Sequence, residues 1–286
     1  MFDLIYRFDP TAPRGRTPAT ASAARKRLED GNREFASLVR PGQAGPPGQR
    51  VITLNADALG LSHADGTAPL QKPFAAVLGC ADARVPIELI FSQAANDLFV
   101  VRVAGNVLGA ECLGSIDYAV TNLGGSLRLL VVLGHSGCGA VSAAVKAFMD
   151  PHTYLDFATS HPLRAIIERI MVAVRSAHRA LEQVYSQDVE ELPGYQEALH
   201  ETSVVMNAAL TAATLRAEFH QKIGPQLDVV YGVYNLATRR VKLTLEDEAD
   251  VTVRLALPPS DSAAFDSLGV LIASSGMIRR KLGAAK

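Results

Sequence analysis

Leu127 to Val145 reads LRLLVVLGHSGCGAVSAAV, and its character changes twice. An unbroken apolar run leads into a glycine-interrupted polar turn, HSGCG, and then into small and apolar residues at helical spacing. A strand that is apolar throughout, rather than at every second position, is one covered on both faces. A strand that turns straight into a helix is half of a parallel βαβ unit. Two earlier runs repeat the pattern, FAAVLG at Phe74–Gly79 and LFVVRV at Leu98–Val103, each ahead of a helix-like segment. A later run, LDVVYGVY from Leu227 to Tyr234, is followed by Asn235–Arg240 and the more polar VKLTLE, a hairpin that closes one edge. The expected fold is therefore α/β, a mainly parallel four-stranded sheet with an antiparallel edge strand, flanked by helices.

Working outward, TPATASAARKRLEDGNREFASLV from Thr17 has the spacing of an amphipathic helix, with Thr17 or Thr20 as its cap. Between Arg40 and Lys72 the composition shifts to Gly, Pro, Ala and Asp, which predicts a long surface segment with little structure of its own. The expected organisation is an N-terminal arm and helix over 1–40, an extended segment over 41–72, and an α/β domain with C-terminal helices over 73–286. LRAIIERIMVAVRSAHRALEQVY and VVMNAALTAATLRAEF read as scaffold helices, and SAAFDSLGVLIASSGMIRRKL as one more amphipathic segment. Arg279, Arg280 and Lys281 are expected to form its solvated end.

The 286 residues, 48% of them hydrophobic, suffice for a substantial core, and a formal net charge of -1 leaves no positive excess to attract nucleic acid or anionic lipid. A small, weakly charged partner fits better. No apolar run reaches the roughly eighteen residues of a membrane span. Met1–Arg16 lacks the apolar core of a secretory signal, so a cytoplasmic location is expected, with a transit peptide around Thr17–Arg27 as the alternative. Three cysteines are an odd number for a disulfide framework and fit a reducing compartment.

The first strand of the sheet ends in Cys80-Ala81-Asp82-Ala83-Arg84, and the third in His135-Ser136-Gly137-Cys138. Carboxyl ends of adjacent parallel strands face one crevice, so two thiols and an imidazole can converge there. Two Cys and one His make a three-ligand zinc set of the catalytic kind, which leaves a fourth position for water or substrate. Cys112 lies away from both motifs and reads as an ordinary buried cysteine. Asp82 and Arg84 can pair beside the metal, and an Asp held by Arg stays ionised and oriented. Gly137 to Ser142 approaches a dinucleotide fingerprint, but Ser142 stands where its third glycine belongs, which makes nucleotide binding a remote alternative.

The segments CADARVP and HSGCG, with DLFVVRVAGN between them, resemble the β-carbonic anhydrase family in order and spacing from Gln71 to Val145. KRLEDGNREF at Lys26–Phe35 and the late strand with its hairpin are also similar. The resemblance implies that Cys80, His135 and Cys138 bind Zn2+ and that Asp82 and Arg84 form a dyad beside it. It further implies reversible hydration of carbon dioxide to bicarbonate and a proton by zinc-bound hydroxide, in a homodimer or higher homo-oligomer. In some members the Asp matching Asp82 closes on the zinc as a fourth ligand. Plant-like, open members carry a Gln nine residues before the first Cys, a Phe in the second strand and a Tyr in the next helix, matched here by Gln71, Phe99 and Tyr118. By that likeness Gln71 donates an amide hydrogen bond to substrate, while Phe99 and Tyr118 of a neighbouring subunit wall an apolar pocket. Gly139 would leave room for substrate and offer its N–H, and Ala104 stands where plant members tend to be bulkier. Arg102 and Asn106 are expected to buttress loops or the subunit contact. His63, His152, His161, His178, His200 and His220 receive no role. The segments before Gln71 and from Phe148 to Pro162 are expanded relative to the family. A zinc-containing scaffold, or a hydrolase of a related molecule such as carbon disulfide, is the alternative function, and intact Asp82 and Arg84 argue against the scaffold.

Overall fold

The computed structural model describes residues 2–9, 11, 17–37, 48–59, 68–158, 161–243 and 254–283. His63 and the part of VKLTLE beyond Leu243 lie outside them. The chain runs through β1 (Phe2–Asp9), α1 (Ala21–Ser37), β2 (Gly48–Asn55), β3 (Ala75–Gly79), the single turn α2 (Ile87–Ile90) and β4 (Leu98–Arg102). Then come α3 (Ala110–Asn122), β5 (Leu129–His135), α4 (Gly139–Met149), α5 (Pro151–Ala158), α6 (His161–Tyr185) and α7 (Tyr195–Glu218). The last elements are β6 (Asp228–Tyr234), β7 (Val241–Lys242), α8 (Ser262–Ala273) and α9 (Gly276–Lys281).

The main sheet has the order β4-β3-β5-β6-β7. Its first four strands are parallel and β7 is antiparallel to β6, as the apolar runs and the hairpin predict. Every residue of β3 and β5 is buried, because successive side chains enter two different cores. Ala76, Leu78, Leu130, Val132, Val229 and Tyr231 point into a core shared with α4, α6 and α7. Ala75, Val77, Leu129, Val131 and Val230 point to the other face, against Leu28 of α1 and Ile87 and Ile90 of α2. Each fully buried Val or Leu contributes about 1.5–3 kcal/mol, which is why unbroken apolar runs form this sheet's centre. Helix α7 is buried on most of its sides, so its apolar residues do not confine themselves to one stripe.

Helix α1 forms where its spacing predicts, and Thr20 rather than Thr17 caps it, Oγ1 accepting from the Ala23 N–H at 3.2 Å. Its buried Asn32 donates to the Ile90 and Arg239 carbonyls and accepts from the Val241 N–H, tying α1 to α2 and the hairpin. Glycine at position 31 is required by that approach, since a Cβ there would stand 1.8 Å from the Phe91 carbonyl oxygen.

One expectation is corrected. The composition of 41–72 predicts little structure, yet it contains β2, which pairs in parallel with β1 from Phe2 opposite Gly48 to Asp9 opposite Asn55. The VITLN run at Val51–Asn55 is short and apolar enough to pair, and its signal is diluted by the Gly/Pro tract before it. The chain from β1 through α1 supplies the crossover that a parallel pair needs. The C-terminal amphipathic segment folds as α8 and α9, Ser275 leaving helical geometry between them and capping α9 as its Oγ accepts from the Ile278 N–H.

Candidate metal centre

The order of the strands reverses at β3, with β4 on one side and β5, β6 and β7 on the other, and such a switch opens a crevice at the carboxyl ends. Cys80 follows the last residue of β3, and His135 ends β5. Gly137 has φ +65°, a left-handed conformation that suits glycine and turns the chain back so that Cys138 faces Cys80 before α4 begins. The two sulfurs are 4.0 Å apart, and one donor atom from each of Cys80, His135 and Cys138 lies within 4.8 Å of the others, all three residues buried. A disulfide would need about 2.05 Å. Two sulfurs about 2.3 Å from a tetrahedral zinc would stand about 3.8 Å apart, close to the spacing seen.

His135 is oriented for the same purpose. Its Nδ1 is 3.0 Å from the Ser136 carbonyl oxygen, which can only accept, so Nδ1 carries the proton and Nε2 presents a lone pair. Nε2 is buried without a hydrogen-bond partner among the described residues. An orphaned buried nitrogen is costly unless it has a ligand. Hydrogen bonding from the Cys138 thiol, aided by the backbone of Asp82 and the Gly105 N–H, holds Cys80 down to about 4 despite its burial. Cys138 is pushed up, first by that shared hydrogen bond and then by burial. The pair thus surrenders one proton readily and holds the second. A dication in place of that second proton would satisfy both sulfurs and the imidazole.

Asp82 lies beside this set, its Oδ2 3.9 Å from His135 Nε2. Arg84 donates to it three times, from the backbone N–H at 2.9 Å and Nε at 3.0 Å to Oδ1 and from Nη2 at 2.7 Å to Oδ2. The Arg84 hydrogen bonds hold the Asp82 carboxyl well below the usual carboxylate range. Arg102 donates from Nε to the Cys80 carbonyl and from Nη2 to the Asp82 carbonyl, so it buttresses the loop as the sequence suggests.

The back of the site is built by α7, which motif reasoning misses. His200 Nε2 is 3.1 Å from the Cys138 carbonyl oxygen, and Glu201 accepts from the Gly137 N–H at 3.3 Å. Glu201 also lies 3.4 Å from His200 Nδ1. Burial raises the Glu201 carboxyl, but the His200 hydrogen bond and charge, with Lys281 and the Gly137 N–H, outweigh it and lower it overall. Asn207 donates to the Gly105 carbonyl at 2.8 Å, and the Gly105 N–H donates to Cys80 Sγ at 3.3 Å. The one signal in the sequence is compositional, a His, a Glu and an Asn within a largely buried helix, which only the fold turns toward the Cys-His-Cys set.

A family model described as carbonic anhydrase matches residues 75–241. The chain belongs to the β-carbonic anhydrase family. It is 37% identical to carbonic anhydrase 2 of Mycobacterium tuberculosis over 77% of this chain and 91% of that one. It is 34% identical to the carbonic anhydrase of Mycolicibacterium smegmatis over 69% of this chain and 88% of that one. A tetrameric β-carbonic anhydrase of Sordaria macrospora superposes with a TM-score of 0.47 at 19% identity, covering 60% of this chain and 81% of that one.

Of the other positions that the β-carbonic anhydrase pattern singles out, some come together and one does not. Phe99 of β4 and Tyr118 of α3 have ring centroids 6.4 Å apart, and Tyr118 is 51% exposed. Ala104 lies in the turn before Gly105, and Gly139 opens α4, where an added Cβ would meet no described atom within 4 Å. Gln71 is exposed in the loop before β3, which Asn96 clamps through the Lys72 N–H and the Leu70 carbonyl. It therefore sits at the amino end of β3 while Cys80 sits at the carboxyl end, about 16 Å of strand away. Cys112 is a free, partly buried thiol packed on the core. His178 packs at a tilt against Phe148 and bonds Tyr195, away from the metal set.

Proposed function

We propose that this family member holds Zn2+ on Cys80, His135 and Cys138 and carries out the reversible hydration of carbon dioxide to bicarbonate and a proton. The observation that carries the reading is the buried, unpartnered Nε2 of His135 aimed at two sulfurs 4.0 Å apart. Zinc, when bound, supplies a Lewis acid that makes water acidic enough to be a nucleophile near neutral pH.

The chain's own residues do the rest. Asp82, ionised and fixed by Arg84, accepts a hydrogen bond from the attacking oxygen and points its lone pair toward the substrate carbon. Its engagement with Arg84 on both oxygens supports the open, plant-like arrangement, because closing on the metal would give up those bonds. Gly139 leaves space beside the donors and offers its N–H to a substrate oxygen. Phe99 and Tyr118 of a second copy, together with Ala104, form an apolar wall suited to a nonpolar gas, and bicarbonate leaves for water.

The working unit is a homodimer or a larger homo-oligomer. The outer edge of β4 is unpaired among the described residues and carries Phe99, with exposed Tyr118 beside it. Gln71 is too far from its own metal set, so it serves the site of the second copy. The free thiols support a reducing compartment, and we place the protein in the cytoplasm. Among the described residues no helix is long and apolar enough to cross a membrane.

Stopped-flow hydration on protein of known zinc content, at one mildly alkaline and one mildly acidic pH, tests the reading. Activity at both is expected. Activity at alkaline pH alone would replace the open arrangement with one in which Asp82 closes on zinc. None at either pH, with zinc present, would sink the reaction itself.

A further inference from the structure

Helix α7 satisfies its buried polar side chains in two ways. Thr202 turns its hydroxyl back on its own helix, Oγ1 donating to the Ala198 carbonyl at 2.8 Å. Asn207, only 2% exposed, sends its amide out of the helix instead, Nδ2 donating to the Gly105 carbonyl at 2.8 Å. A buried amide must be paired, but pairing alone does not call for a partner 102 residues away in sequence.

The carbonyl it reaches belongs to a turn of uncommon shape. Gly105 has φ +66° and Asn106 φ +46°, two left-handed residues in succession. A Cβ at Gly105 would stand 2.8 Å from Ile170 Cδ1 and 3.1 Å from Ala140 Cβ, so space as well as φ requires glycine there. The Val103 carbonyl accepts from the Asn106 N–H at 3.0 Å and from the Ala81 N–H at 3.2 Å, and the Val103 N–H donates to the Gly79 carbonyl at 3.0 Å. Those bonds fasten the turn to the residues on either side of Cys80. The Gly105 N–H is then aimed at Cys80 Sγ, 3.3 Å away. Gly105 is thus gripped at both of its peptide groups, its N–H by a sulfur and its carbonyl by Asn207. Left-handed backbone outside glycine persists where its surroundings impose it, and it gathers at functional sites.

We propose that Asn207 is a positioning residue for the metal centre: by holding the Gly105 carbonyl it keeps the Gly105 N–H on the Cys80 sulfur, and that bond tempers the electron donation of the thiolate to the metal. The inference rests on the reading of Cys80, His135 and Cys138 as the ligand set. Two thiolates neutralise the charge of a dication, which makes water bound to it less acidic. An N–H donated to one of the sulfurs draws part of that charge back, so a metal held by two thiolates keeps more of its acidity. Asn207 touches neither metal nor substrate in this scheme and acts through Gly105 alone.

Nuclear magnetic resonance of the full chain loaded with a magnetic isotope of cadmium reads the bond directly, because an N–H bonded to a ligand sulfur shows scalar coupling to the metal. Coupling to the Gly105 amide proton is expected in the unmodified protein and should vanish in Asn207→Leu, which keeps the branched shape without a donor. Asn207→Ala makes the same deletion without added bulk, should the leucine variant fail to fold. In the cobalt-loaded proteins the sulfur-to-metal charge-transfer band should move to longer wavelength in either variant, since a sulfur freed of its N–H gives up electrons more readily. Asn207→Gln, which keeps an amide, should return both signals toward those of the unmodified protein. Thr202→Val removes a buried bond confined to α7 and should leave both signals in place, whatever it does to the melting temperature. Hydration per zinc should fall about tenfold in the Asn207 variants, more at mildly acidic than at mildly alkaline pH. Bound cadmium without coupling in the unmodified protein would overturn the proposal. So would coupling and band that both survive in Asn207→Leu or Asn207→Ala, because the turn would then hold itself. Protein that takes up neither cadmium nor cobalt would remove the ligand set, and this inference with it.

Discussion

The two ends of β3 differ in completeness. At the carboxyl end Cys80 enters a buried set whose every member comes from this chain, with backbone, Arg102 and α7 holding the loops from behind. At the amino end Gln71 is exposed, and the neighbouring aromatic pair, Phe99 and Tyr118, flanks an unpaired strand edge. Metal chemistry is thus finished by the folding of one copy, while the substrate wall is finished, in the reading offered above, by a second. A site of this kind should fail in two separable ways, by losing its metal or by losing its neighbour.

The largest effect should come from the buried end. Cys80→Ser or His135→Ala removes one of three donors, and the zinc content by metal analysis should fall from one per chain to near none, with hydration lost alongside it. A variant that kept its zinc would mean that the three residues are not the ligand set. Smaller, and of another kind, is the effect expected of Asp82→Asn. Zinc content should stay at one per chain while hydration falls about 10²–10³-fold, since the substitution removes an oriented acceptor and no metal ligand. Full activity in that variant would discard the role given to Asp82 and leave the fold and the metal set standing.

How much of this could be read from the sequence follows the same division. The parallel sheet and the Cys-His-Cys set were legible because strand ends and ligands are contiguous, as in GCADAR and LGHSGC, so local pattern and chemistry coincide. His200, Glu201 and Asn207 were not, because their place is set by how α7 packs behind the loop, a contact more than sixty residues away in sequence. The pairing of β1 with β2 was hidden by composition.

The smallest effect is the most informative about the exposed end. Gln71→Ala should lower hydration per bound zinc roughly tenfold, the scale of one hydrogen bond to substrate. If Gln71 serves the second copy, mixing this variant with zinc-free Cys80→Ser protein and allowing subunits to exchange should raise activity per zinc toward the unmodified level. In the mixed dimer the only zinc sits on the Gln71→Ala chain, and its wall comes from the Cys80→Ser chain, where Gln71 is intact. If instead each copy used its own Gln71, every zinc in the mixture would still lack its amide donor and the rate per zinc would not move. Native mass spectrometry of the mixture shows whether mixed dimers formed, so a flat result with mixed dimers present would remove the shared site and leave the two ends of β3 to be explained within one chain.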